Sequence, residues 1–162
     1  MSANLKIDYL PADPAIQCTV AEWHHQEWKH LSERTLEDRI AEFAEHLNPN
    51  SVPLTVLGWI EGKPVASASL LIHDMDIHPD WSPWLASVFV LPHLRRQGVG
   101  RLLVARIEEE AARLGVPKLY LYTPDRAPFY QYMNWESLEE INYHGEQVTL
   151  MEKVIHSAPS GS

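Results

Sequence analysis

Apolar and polar residues alternate from Leu5 to Leu10, the period of a half-buried strand, and Pro11 and Pro14 close it. The period then changes. From Ala15 onward Ile16, Val20 and Trp23 recur on one face of a helix, and after Ser32 a second helical stripe carries Leu36, Ile40, Phe43 and Leu47 before stopping at Asn48-Pro49. The runs Leu54 to Ile60 and Val65 to Ile72 read as strands, and Glu61-Gly62-Lys63-Pro64 between them predicts a hairpin with a four-residue connection. After a loop rich in Asp, His and Pro, Trp84 to Leu91 reads as a strongly apolar fourth strand. Gly98 to Leu114 is the clearest helix, with Val99, Leu102, Leu103, Ile107, Ala111 and Leu114 on one stripe and Glu108, Glu109 and Arg113 expected to face water. Gly115 and Pro117 are its stop signals. A strand at Lys118 to Tyr122, a short helix at Pro128 to Met133, and an antiparallel pair, Trp135 to Tyr143 with Gln147 to Val154 turned at His144-Gly145, complete the pattern. The order β-α-α-β-β-β-α-β-α-β-β predicts a mixed α/β sheet whose middle strand feeds a long helix.

Composition narrows this picture. A chain of 162 residues with 45% hydrophobic and 22% charged residues suits one globular domain, expected over residues 1–155, with residues 156–162 as a disordered tail. Thirteen Lys and Arg against 22 Asp and Glu give a net charge of −9, which opposes docking on nucleic-acid phosphates and favours a cationic partner. The sole cysteine, Cys18, cannot form an internal disulfide, reads as a small core residue rather than an acyl-carrying nucleophile, and fits a cytoplasmic setting. The N-terminal residues lack a signal-peptide apolar core, and the longest apolar candidate, Trp81 to Leu94, is broken by Pro83, Pro92 and His93, so no membrane span is expected. Nine His invite a metal hypothesis, but His73 with His78 and the adjacent His24 and His25 lack a convincing third ligand, so none is expected.

The stretch Val88 to Leu103 carries the candidate chemistry. A strand runs into a loop of Arg95, Arg96, Gln97, Gly98 and Gly100, and a helix begins inside that loop. Such a junction aims backbone N–H groups and the positive end of a helix dipole at one spot, and arginines at its lip add charge-assisted contacts, which suits a pyrophosphate. A glycine-rich turn that simply starts a helix has the same residues. A dinucleotide-binding fingerprint does not fit, because Leu103 stands where its third small residue belongs, and a P-loop does not fit, because Gly-Lys-Ser/Thr is absent.

Arg95-Arg96-Gln97-Gly98-Val99-Gly100, after Val88-Phe89-Val90 and Pro92, resembles the pantetheine-pyrophosphate loop of the GCN5-related N-acetyltransferases (GNAT). A second block, Leu119 to Asp125 followed by Phe129-Tyr130-Gln131-Tyr132-Met133-Asn134-Trp135, is similar to that family's Phe-Tyr-x-x-x-Gly-Phe. Asn134 replaces the glycine and tolerates the left-handed conformation needed there. Thr123-Pro124-Asp125 replaces an asparagine of many members, leaving Thr123 as a weaker candidate contact.

The resemblance implies a GNAT fold: a mixed, mostly antiparallel sheet of about seven strands with helices on both faces, splayed between the fourth and fifth strands. It implies acetyl transfer from acetyl-CoA to a primary amine by direct attack in a ternary complex. Pantetheine would lie against backbone groups of Val88 and Val90, with Phe89 on the same strand. Arg95, Arg96, Gln97, Gly98, Val99, Gly100 and Arg101 would hold the pyrophosphate, and Phe129 would pack beside the cofactor. Tyr130 would protonate the departing thiolate, although a core Tyr with a satisfied hydroxyl is the other reading of that residue. The fourth strand carries no carboxylate to serve as base. Glu22, His24, His25, His73, Asp74 and Asp76 are the candidates, directly or through a water. Trp23, Trp28, Trp81 and Trp84, with Asp74 and Asp76, are candidate walls and contacts for the acceptor. The second functional reading is an acyl-CoA sensor without turnover. Either monomer or homodimer is compatible with the sequence.

Overall fold

The computed structural model describes residues 4–156. The elements are β1 (Lys6–Tyr9), α1 (Pro14–Trp28), α2 (Leu36–Glu42), β2 (Leu54–Ile60), β3 (Lys63–Leu71), β4 (Trp84–Val90), α3 (Val99–Arg113), β5 (Lys118–Thr123), α4 (Ala127–Tyr132), β6 (Glu136–Tyr143) and β7 (Glu146–Val154). Apart from His156, the expected tail lies outside the described residues.

Local chemistry sets the boundaries. Asp13 caps α1 by accepting from Ala15 N, and Thr35 with Asp38 forms a reciprocal capping box at the start of α2. The second helix ends earlier than its apolar stripe predicts, because the chain tightens into a 3-10 turn over Phe43–His46 that brings both end residues inside. The first hairpin turns on two residues, not four: Glu61 and Gly62 both have positive φ, 51° and 77°, and Lys63 already pairs with Ile60. Two left-handed residues in succession match the twist of the flanking strands. His144 and Gly145 repeat the device between β6 and β7.

Among the described residues seven strands form one sheet in the order β1-β2-β3-β4-β5-β7-β6, antiparallel throughout except for the parallel pair β4 and β5. One face carries α3 and α4 over a core of Leu54, Val56, Leu70, Leu85, Leu103, Ile107, Leu121 and Trp135. Alternation turns Leu57 to the other face, where Val20, Ala21 and Phe43 of the first helical segments cover it. A third cluster of Met75, Trp84, Tyr143, Val148 and Leu150 sits where β4 meets β5.

The outer side of α3 is less watery than its pattern suggests. Glu108 pairs with Lys153 Nζ at 2.6 Å and accepts from Trp135 Nε1 at 3.1 Å. Glu110, 5% exposed, accepts from Arg106 and Arg113 and from the Tyr9 hydroxyl at 2.9 and 3.0 Å, tying β1 to the helix. Tyr9→Phe removes a hydrogen bond to a charged group and is expected to cost about 1.5 kcal/mol, read from the urea midpoint with the slope unchanged.

Candidate functional site

The parallel strands β4 and β5 share one paired position, Trp84 opposite Tyr120, where Tyr120 N also donates to Pro83 O at 3.2 Å. Beyond that rung they part, and the sheet opens between them. A bulge in β4 begins the divergence: Ser69 pairs with Ala86 and Ser67 with Phe89, so β4 has one extra residue there, and Ser87 takes a φ of 54°. Past the bulge, Leu91 N donates to Val65 O of β3, so alternation turns the N–H and C=O groups of Val88 and Val90 toward the opening.

A buried polar chain holds the bulge. Ser67 Oγ donates to Ser87 O at 2.9 Å, and His24 Nε2 lies 2.7 Å from Ser67 Oγ. With the Ser67 hydrogen committed, His24 is the donor and carries its proton on Nε2. Burial, then the charges of Arg39 and His46, push His24 down to about 3. The ring lies among Trp28, Phe43 and Phe89. His24 is therefore a strut for β4, and not the base that its position in the sequence allows. His46 forms a similar chain, 2.7 Å from Thr55 Oγ1, which is 2.8 Å from Ser69 Oγ.

At the far end of the opening, the loop from Pro92 delivers the chain to α3. Arg96 and Gly98 are both left-handed, with φ of 66° and 85°, and Gly98 caps the helix without a side chain. The first helical bond outside the cap runs from Leu102 N to Gly98 O, leaving the amides of Val99, Gly100 and Arg101 without an intrahelical acceptor at a positive helix end. A Cβ on Gly100 would lie 3.7 Å from Val90 Cγ2, and one on Gly98 would lie 4.0 Å from Arg101 Nη2. The residues expected around a pyrophosphate thus gather here, with three refinements. Val99 points its side chain into the core and offers only its amide. Gln97 Nε2 donates to His93 O. Arg95 turns back, its Nε donating to Val90 O at 2.8 Å and its guanidinium lying over the Phe89 ring, 3.8 Å from Glu27, while Arg96 and Arg101 are exposed. Phe89 itself stacks on Trp23 at 5.4 Å and faces α1, away from the opening.

Tyr130 sits on α4 against Phe129 and Trp135 in the α3-side core, 7% exposed. Its hydroxyl has no hydrogen-bond partner among the described residues, and no sealed side-chain polar atom lacks one, so Oη opens onto solvent-accessible space. Burial raises its pKa, keeping the proton on. Phe129 is half-buried beside it. Thr123 Oγ1 accepts from Arg126 N, starting the turn into α4. Asn134 has a φ of 72°, the left-handed stop expected of it.

On the other side of the rung lie the candidate acceptor residues Asp74, Asp76, Trp81 and Trp84, whereas Trp23 and Trp28 stand on α1 against Phe89. Trp84 is 0% exposed and donates from Nε1 to Trp81 O, so it is core behind the site and no wall that an acceptor touches. Trp81 stacks between His78 and Tyr120. Asp76 is exposed, its amide donating to Tyr143 Oη at 3.3 Å and its carboxylate 3.9 Å from His144. His73 and Glu22 are exposed, and His25 Nδ1 accepts from Arg39 Nε. Cys18 is half-buried rather than core, and the hydrogen bond to Glu22 raises its thiol pKa.

Burial pushes Asp74 up to about 7, opposed by the charge of Arg34. A folded-state pKa above the unfolded value of 3.8 means that the native state holds more protons between those values, so this carboxyl contributes less stability as pH rises through that window. Asp74→Asn is expected to raise stability over the native protein at pH 8, with the difference vanishing near pH 4. Urea titrations at the two pH values check this; a constant difference at both would contradict it.

Arg34, Arg39 and Tyr122 also reach this corner, and sequence reasoning passed over them. Arg39 looked like an ordinary polar position of an amphipathic helix, yet it is 9% exposed. Tyr122, on β5 two residues past the rung, meets the ring of Tyr143 at 5.3 Å, and burial followed by Asp74 raises its pKa. Ser67 and Ser69, hydroxyls inside an otherwise apolar strand, were the available sign of the His24 and His46 chains. Among the described residues no group of three or more His, Cys, Asp or Glu is placed to hold a metal ion, and no helix is long and apolar enough to cross a membrane.

Solved structures share this arrangement over nearly the whole chain. A putative acetyltransferase from Salmonella typhimurium with its cofactor acetyl-CoA has a TM-score of 0.74 at 17% identity, covering 99% of this chain and 100% of that one. An aminoglycoside 6'-N-acetyltransferase complexed with coenzyme A has a TM-score of 0.75 at 16% identity, covering 96% and 99%. The corresponding enzyme from Enterococcus faecium has a TM-score of 0.72 at 16% identity, covering 96% and 99%. These likenesses establish the fold. No curated protein matches the sequence. The sequence pattern of the Acetyltransferase (GNAT) family matches residues 18–134, and with the splayed strands and the loop before α3, the chain belongs to the GNAT family of acetyltransferases.

Proposed function

We propose that the protein transfers an acetyl group from acetyl-CoA to a primary amine of a small molecule or peptide, by direct attack in a ternary complex. The observation that carries this reading is the opening between β4 and β5, which starts at a single rung and ends at the uncapped amides of α3. An extended pantetheine matches the first part, and a pyrophosphate matches the second. Fold relatives described with acetyl-CoA or coenzyme A support that fit.

In this reading the backbone groups of Val88 and Val90 bind pantetheine, and the amide near Val90 stabilises the thioester oxygen as negative charge develops. Arg96 and Arg101, exposed beside the loop amides, meet the pyrophosphate. Tyr130 holds a proton at Oη for the departing thiolate. Of the carboxylates weighed as base, Asp74 is the one whose raised pKa keeps it able to exchange a proton near neutral pH. The net charge of −9 favours a cationic amine, and the lone thiol a cytoplasmic setting.

Release of free thiol from acetyl-CoA, measured against polyamines, aminoglycosides, amino acids and peptide N-termini, tests the reading. Acceptor-dependent release is expected. Thermal stabilisation by acetyl-CoA with no release above background would identify a sensor instead, and no stabilisation at all would remove both readings.

A further inference from the structure

Two buried hydroxyl chains run from the helical layer into the sheet and bracket one point of β4. In the first, His24 Nε2 of α1 lies 2.7 Å from Ser67 Oγ of β3, which donates to Ser87 O at 2.9 Å. In the second, His46 Nδ1 lies 2.7 Å from Thr55 Oγ1 of β2, which lies 2.8 Å from Ser69 Oγ of β3. Ser67 pairs with Phe89 and Ser69 with Ala86, so the two serines stand on either side of the extra residue in β4. His24, His46, Thr55, Ser67 and Ser69 are all buried. Polar side chains withdrawn from water cost free energy that apolar ones would not, and here they converge beside a single backbone irregularity.

That irregularity decides how the open edge of β4 is used. Ser87 takes the left-handed φ of 54°, a conformation that is unfavourable for any residue with a Cβ. Beyond it, Phe89 turns its ring to Trp23 on the α1 face, while Val88 and Val90 pack toward the α3 core. Without the extra residue Ser67 would pair with Val88, and every later residue of the strand would change faces. The amides turned toward the opening would then be those of Ser87 and Phe89 in place of Val88 and Val90. Among the described residues, Ser67 supplies the one side-chain hydrogen bond to the bulge, and His24 holds Ser67.

We propose that His24 and Ser67 are positioning residues for acetyl transfer: through the Ser87 carbonyl they hold the bulge that turns the Val88 and Val90 amides toward the thioester. His24 is buried on the α1 face and acts only through Ser67. Burial pushes its pKa down to about 3, so it stays a neutral donor and the chain stays closed at neutral pH. A main-chain donor misplaced by about 1 Å loses much of its hold on a developing oxyanion, so a small drift of the strand weakens the transition state more than bound acetyl-CoA. The inference rests on the acetylating reading for the reaction, but the register of β4 stands independently of turnover.

The test is thiol release and acetyl-CoA calorimetry on full-length His24→Leu, Ser67→Ala, His24→Gln and Val20→Ala, with the register of β3 on β4 read from cross-strand amide contacts by NMR. His24→Leu and Ser67→Ala are expected to lower kcat about 10²-fold, while acetyl-CoA, still held at the α3 amides, binds at most about tenfold more weakly. In both, the contact of position 67 with Phe89 is expected to weaken in favour of Val88. His24→Gln keeps an Nε2 donor and is expected to recover most of kcat. Val20→Ala opens a cavity in the buried face of the same helix without touching the chain, and is expected to lower stability and leave kcat as it was. If His24→Leu does not fold, Ser67→Ala decides. Unchanged kcat in these two variants, no recovery in His24→Gln, or a fall in Val20→Ala that matches theirs overturns the proposal and leaves the acetylation reading intact. A native protein that releases no thiol with any acceptor removes that reading, and the register measurement then decides alone: an unmoved contact overturns the hold on β4, and a shifted one supports it.

Discussion

Tyr130→Phe is expected to lower kcat for acetyl transfer by about 10²-fold or more while leaving acetyl-CoA binding nearly intact. The substitution removes one oxygen from a ring that is otherwise held by Phe129 and Trp135, so the packing of α4 survives it. That oxygen has no hydrogen-bond partner among the described residues and opens onto accessible space, so its loss strands nothing in the fold. Burial holds the proton on it, as an acid requires. The measurement is steady-state thiol release together with calorimetry of acetyl-CoA. Equal losses of turnover and binding would mean that Tyr130 shapes the cofactor cleft, and unchanged turnover would mean that the thiolate takes its proton elsewhere.

Trp84→Ala is expected to have the largest effect on stability, about 3–5 kcal/mol, which for a domain of this length lowers Tm by roughly 10 °C. Trp84 has no exposed surface, lies against Trp81, Tyr120 and Tyr122, and occupies the rung that joins the two halves of the sheet. Its indole N–H donates to Trp81 O, so Trp84→Phe keeps much of the volume but loses that bond, and it should fall between the two. A small stability loss with a selective rise in acceptor KM would return Trp84 to the pocket wall that its sequence position suggests.

Periodicity made most of the fold legible. The strands around β2 to β4, the stripe of α3 and the left-handed stop at Asn134 follow from spacing and from residue types with narrow conformational preferences. The backbone of the loop before α3 was legible for the same reason, since Gly98 and Gly100 mark a change of conformation. What stayed hidden depends on which partner a polar group finds. Arg95 is an arginine at a lip by sequence, yet it bonds Val90 O and lies over Phe89, because a long side chain can fold back onto its own strand. Arg39 reads as a solvated helix position, and only the packing of α2 against α1 shows it buried, with Nε on His25 Nδ1. The His24 chain spans three elements, and no window of sequence contains it.

The parting of β4 from β5 gives this sheet four edges instead of two. The outer pair is defended in the usual ways: β1 is only four residues long, and β6 shows Glu136, Glu139 and Glu140 to solvent. On β4 the inner edge has no such defence. It carries plain aliphatic residues, Val88 and Val90, and is shielded by facing β5 and by Arg95 Nε on Val90 O. In the proposed reading a ligand lying there completes main-chain hydrogen bonding on the way, so much of its recognition is independent of side-chain identity. The fold is accordingly shared at identities of 16% and 17%, and in the proposed reading the residues that set one acceptor apart from another lie outside the opening.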